Sequence, residues 1–192
     1  FLLMTGYLKA TEMGIGERNS YICKLEIPNK EIEGIYWDEV LRVQEESVGE
    51  DTILQLQAAF LTKDCKALQW ALSNYLLKTS SFYDGLNENY YHGLLLGLMA
   101  VLIKSHKPLS NRESGYGRYD IELVPKDSST PGIIIELKAA KSAQENLQVL
   151  AEDALEQIEQ KRYDTALLAE GVTDIYKYGI AFYKKNVEIV VK

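Results

Sequence analysis

Cysteine is scarce in this 192-residue chain, with only Cys23 and Cys65. Two thiols so placed supply neither a disulfide framework nor the spaced ligand pairs of a zinc site. A reducing cytoplasm is the expected compartment. Long apolar runs are missing as well: a membrane-spanning helix needs roughly 20 consecutive apolar residues, and the best stretch, Leu94 to Ile103, has about half that. There is no low-complexity tract or internal repeat, so long disordered spans are not expected. Positive charge is in deficit, with a formal net charge of −7. Broad, non-specific attraction to a phosphate backbone is thereby excluded, and any nucleic-acid contact has to be local or supplied by chain outside this sequence. The opening F-L-L-M-T-G-Y-L lacks a basic flank and a cleavage pattern, so it is not a signal peptide. Since it starts without Met, the sequence is expected to be an internal piece of a longer protein.

What is present is enough apolar material, 46% of residues, for a substantial core without staples. Phe1 to Leu8 reads as the end of a helix, and Lys9 to Met13 with Ser20 to Ile27 as a hairpin around G-I-G-E-R-N. Asn29 can cap a helix carrying Ile32, Ile35, Tyr36, Val40 and Val43 at helical spacing. A helix, a wing-like hairpin and a second helix suggest a winged-helix-like unit; a structural or linker role is the other reading. From Asp51 to Leu77 the apolar spacing predicts two helices broken near Thr62 to Asp64, a helical connector. The turn-rich T-S-S-F-Y-D-G then marks the expected boundary, giving a helical and hairpin region over 1–80 and a second domain over 81–192.

That second domain opens with a predicted helix over Asn87 to Lys104, with Asn87 as its cap and Glu88 and His92 on one face. Leu109 to Ser114 is a short strand candidate. The stretch Tyr116 to Lys141 then supplies two strand-like runs around a turn-rich connection. In Arg118 to Val124, Ile121 and Leu123 face one way, and Asp120 and Glu122 the other; Glu122 reads as a solvated position or an extra ligand. In I-I-I-E-L-K, Ile134, Glu136 and Lys138 share a face, so one strand aims a carboxylate and an ammonium at the same place. Buried charge is costly unless a partner, a hydrogen-bond network or a metal satisfies it. Ser142 and Glu145 form a capping-box pattern that predicts the start of a helix with a stripe from Leu147 to Ile158, beside which Gln157 looks back at the sheet. Tyr178 to Tyr183 and Val187 to Val191 read as a closing hairpin around K-K-N. The expected fold class is α/β: a mixed sheet flanked by helices.

Two carboxylates converging at a strand pair make a hard-oxygen site suited to Mg²⁺. Asp120 and Glu136 are the metal-ligand candidates, with the Leu137 carbonyl as a third donor, and Lys138 is the candidate for orienting water or stabilising a phosphoryl transition state. The competing reading is a structural network in which Asp120 pairs with Lys138 or Arg118, and Glu136 with Lys138. Arg112 and Arg118 either contact phosphate or neutralise the acids. His92 and Tyr163 stay open between structure and function.

The helix with Glu88, the strand with Asp120, the strand with Glu136-Leu137-Lys138 and the helix with Gln157 resemble, in that order, the PD-(D/E)XK nuclease superfamily over about Ser81 to Lys192. N-R-E-S-G-Y-G-R-Y-D, I-I-I-E-L-K and A-L-E-Q-I-E-Q-K-R-Y resemble more closely its bacterial branch found behind an AAA-ATPase-like domain. T-G-Y-L and L-E-I-P-N-K-E-I resemble the end of that ATPase-like portion. One departure is that Tyr119, not Pro, precedes Asp120. The resemblance implies a restriction-endonuclease-like core, phosphodiester hydrolysis of nucleic acid, DNA foremost, and Mg²⁺ or Mn²⁺ as cofactor. It also implies that Glu88 holds water or a second ion, that Gln157 positions the lysine or the substrate, and that an ATPase-like domain of the same full-length chain is the partner. Two other functions remain open: a catalytically inactive binding or regulatory module on the same fold, and a winged-helix DNA reader.

Overall fold

The computed structural model describes residues 1–16, 20–80, 87–127 and 129–192. It divides into two compact units, Phe1–Arg42 and Val43–Lys192. In the first, β1 (Lys9–Ile15) pairs antiparallel with β2 (Tyr21–Glu26), Met13 lying opposite Cys23. The first residues form turns, not a helix, so the leading helix of a winged-helix unit is absent among the described residues. Asn29 caps α1 (Lys30–Val48) by accepting from the Ile32 N–H at 3.0 Å.

The second unit takes in the last turns of α1, then α2 (Glu50–Thr62) and α3 (Cys65–Thr79). Lys63 turns left-handed to end one helix, and Asp64 caps the next by accepting from the Ala67 N–H. Both helices bury their stripes, Ile53, Leu56 and Phe60 in the first and Leu68, Leu72 and Leu76 in the second. The sequence reads them as a connector ahead of a boundary at 81. By packing they belong to the sheet domain, because an apolar stripe this complete has to be covered. The turn-rich boundary segment itself falls mostly outside the described residues.

Next come α4 (Glu88–Leu98), capped by Asn87 and shorter than the sequence predicts, and a buried 3-10 turn over Met99–Leu102. The strands are β3 (His106–Ser110), β4 (Glu113–Ser114), β5 (Gly117–Arg118), β6 (Ile121–Pro125) and β7 (Gly132–Ala139). Then follow α5 (Leu147–Lys161), α6 (Thr165–Ala169), β8 (Ile175–Tyr183) and β9 (Asn186–Val191). The predicted strand over 109–114 is displaced to β3, because His106 is fully buried and anchored by Ser105 Oγ at 2.9 Å and the Pro131 carbonyl at 2.8 Å. Glu145 makes the back-bond of the expected box, but the helix starts after it. It accepts from the N–H groups of Lys141 and Ser142, while Asn146 caps α5.

The main sheet runs β3-β6-β7-β8-β9, with only β7 and β8 parallel. A parallel neighbour requires a crossover, and α5 with α6 supplies it. One face carries Ile134, which clusters with Tyr119, Ile158, Tyr163 and Leu167. On the other, Tyr178 packs edge-on to Phe60 and donates to its carbonyl at 2.7 Å, and Phe182 stacks on Tyr91. The sheet is thus covered on both faces, with its most polar positions at one end of β7. Among the described residues no helix is long and apolar enough to cross a membrane.

Candidate active site

Asp120 is half-buried in the bend just before β6, not inside the strand. Its Oδ2 accepts the Leu137 N–H at 2.8 Å, which fixes its carboxylate against β7. Ile121 pairs with Ile135, so continuing the register sets Asp120 beside Glu136. Glu136 is 4% exposed. Its Oε1 accepts from Gln157 Nε2 and lies 3.4 Å from Lys138 Nζ, whereas Oε2 is buried with no hydrogen-bond partner among the described residues. Lys138 donates to Gln157 Oε1 at 2.7 Å, and Gln157 Nε2 donates to Tyr163 Oη at 3.1 Å. The Lys138 side chain keeps 28% exposure, enough to meet a substrate from solvent.

The electrostatics show why this cluster has unfinished business. Burial, and next the charge of Asp120, push the Glu136 carboxyl up to about 8, against the opposing pull of Lys138. Burial also raises Asp120; the Leu137 N–H and His92 oppose this, and Glu88 adds to it. Two buried carboxyls that resist ionising together are relieved by a bound cation. Among the described residues no group of three or more His, Cys, Asp and Glu side chains is arranged to hold a metal. The two carboxylates of Asp120 and Glu136 could hold Mg²⁺ or Mn²⁺, since Mg²⁺ keeps several waters and uses one or two carboxylates. Glu136 Oε2 and Glu122 Oε1 are both buried without a hydrogen-bond partner among the described residues, and the Glu136 oxygen, beside Asp120, could serve as a donor to such an ion.

Of the residues singled out from sequence, Asp120, Glu136, Lys138 and Gln157 come together. Glu88 is exposed on the first turn of α4 and acts on Asp120 through charge, without a hydrogen bond to the cluster among the described residues. His92, one turn further on, has Nε2 2.9 Å from Ser110 Oγ and 3.2 Å from the Asp120 carbonyl, so it holds the bend. Glu122 corrects the sequence reading of a solvated position: it is 2% exposed and accepts from Tyr119 Oη at 2.8 Å. Tyr119, standing where the family's dipeptide has Pro, is thereby given a structural task. Sequence reasoning missed Ser110 and the Tyr119–Glu122 pair, for which no linear spacing gives a signal.

A five-stranded mixed sheet with one parallel pair, a crossover helix, and an acid at the start of β6 beside an acid and a lysine on β7 define a restriction-endonuclease-like α/β domain. A family model described as the PD-(D/E)XK nuclease superfamily matches residues 86–192, and the chain belongs to that superfamily. Membership points to a nuclease. No curated protein matches the chain.

Proposed function

We propose that this chain is a divalent-metal-dependent nuclease hydrolysing phosphodiester bonds of nucleic acid, DNA foremost, at Asp120, Glu136 and Lys138. The observation that supports this most is the unpartnered, buried Oε2 of Glu136 beside an Asp120 held by the Leu137 N–H. A cation held by these two carboxylates supplies Lewis acidity, lowering the pKa of water and offsetting charge on the scissile phosphate. The protein's own groups do the rest. Lys138, aimed by Gln157 and Glu136, is a preorganised cation for the developing negative charge. Gln157 bridges lysine and carboxylate, so it fixes their separation. Glu88 is assigned the outer position, where it can hold water at the mouth of the site.

We extend the proposal to the first unit as the join to an ATPase-like domain of the full-length protein. Met13 and Ile15 are 78% and 77% exposed on the hairpin, apolar surface that fits such a neighbour. Cys23 and Cys65 are free thiols, as fits a cytoplasmic protein.

The test incubates the purified protein with single- and double-stranded DNA and RNA in Mg²⁺, Mn²⁺ or EDTA. Cleavage should require metal and should fall by about 100-fold or more in both Asp120→Ala and Lys138→Ala. If no substrate is cut in either metal, the nuclease reading gives way to the inactive binding module.

A further inference from the structure

Among the described residues of the second unit, Tyr116 is the most exposed aromatic ring, at 74%. A single exposed aromatic is ordinary, but this one is mounted on an immobilised turn. Gly115 sits at φ +57°, and a Cβ there would come within 2.2 Å of the Lys161 carbonyl oxygen, so the turn lies directly on the C-terminal end of α5. The Tyr116 N–H donates to the same carbonyl at 2.7 Å. Ser114 Oγ, on the preceding strand, donates to the Tyr163 carbonyl at 2.7 Å and accepts from the Ala166 N–H. The ring is displayed by a scaffold that costs little further ordering on binding.

Its surroundings point to a ligand. Arg112, Arg118, Lys161 and Arg162 are all exposed around this turn; the acids near them are Glu113, paired across from Arg118 in the small hairpin, and Glu122 and Glu170, whose neighbourhood Arg112 shares. In a chain of net charge −7 this is a local excess of cations. The patch also adjoins the site. A Cβ on Gly117 would stand 3.2 Å from Tyr163 Oη, which is bonded to Gln157, which is bonded to Lys138. Tyr116 is four residues from Asp120, at most about 14 Å of chain.

We infer that Tyr116 is a stacking platform for an unpaired nucleobase, with Arg112, Arg118, Lys161 and Arg162 holding the flanking phosphates. The preferred substrate class is therefore single-stranded nucleic acid or a frayed end. A protruding ring can cover a base only where the π-face is free, and in a duplex those faces are already stacked. The inference rests on the nuclease reading for its substrate, but it can be tested without turnover.

Binding of labelled single-stranded DNA, single-stranded RNA and matched duplex to the full chain is measured by fluorescence anisotropy in EDTA. Tyr116→Ala should weaken single-strand binding by about tenfold, while Tyr116→Phe and Tyr116→Trp stay close to the wild type. Because the ring is exposed, the thermal melt of Tyr116→Ala should match the wild type. The DNA and RNA arms show which strand is held. Equal single-strand binding by Tyr116→Ala and the wild type overturns the inference, as does tighter binding of duplex or no binding at all. Cleavage by the wild type with unchanged Tyr116→Ala binding removes the platform alone. No cleavage, with the tenfold loss intact, removes the nuclease reading alone.

Discussion

Glu136 carries the clearest pH signature. In the unfolded chain it ionises in the ordinary carboxylate range, and in the folded chain near about 8. Between those values the folded state holds the extra proton, so this group's contribution makes stability fall as pH rises through the window. The thermal midpoint should drop from pH 5 to pH 8.5 more in the wild type than in Glu136→Gln. Mg²⁺ should raise that midpoint more at pH 8 than at pH 5.5, where protons compete for the carboxylate, and should do little for Glu136→Gln. A second residue-scale prediction concerns the buried pair beside it. Tyr119→Phe removes the one hydroxyl bonded to Glu122 and should cost about 1–3 kcal/mol in urea unfolding. That Glu136 and Lys138 share a face was legible from period two, and that Asp120 lies near them from the order of strands that the family resemblance implies. The burial of Glu122 was not, since it depends on a covering layer some 40 residues further along the chain.

At the level of elements, α5 carries Gln157 and so must sit at a set height above the sheet. Gly179 sets that height: a Cβ there would fall 2.1 Å from the Ala151 carbonyl and 2.7 Å from the Leu155 nitrogen. Gly179→Ala should push the helix outward, cost about 1–3 kcal/mol, and lower cleavage by displacing Gln157, with equilibrium unfolding and kcat as the two readouts. Lys177 of β8 ties down the C-terminal end of the helix through Glu159 and the segment after it through Asp164, both at 2.7 Å. Strands and caps were largely readable here, as with Asn87, Asn29 and the closing hairpin. The start of α5 was not, because the Ser142–Glu145 back-bond closes a turn ahead of the helix while Asn146 caps it, and sequence does not tell which of the two begins the helix.

On the scale of the molecule, the sheet domain reaches back to residue 43, although the family match begins at 86. The helices α2 and α3 bury Leu56, Phe60, Leu68 and Leu72, and Tyr178 bonds to the Phe60 carbonyl. Residues 43–192 expressed alone should therefore unfold cooperatively, whereas residues 81–192 should not, because one sheet face would keep only α4 and the turn after it as cover; circular dichroism melts of the two pieces decide this. Sequence periodicity revealed both helices but not where they pack, because an apolar stripe states that a face is covered and not by what.

The most direct measurement is a crystal soaked in Mn²⁺ and read by anomalous scattering. One peak should lie between the Asp120 and Glu136 carboxylates, within about 2–2.5 Å of an oxygen of each, with Glu136 contributing Oε2. No peak there, or an ion held elsewhere with that oxygen still without a partner, would contradict the assignment of these two residues as the metal ligands.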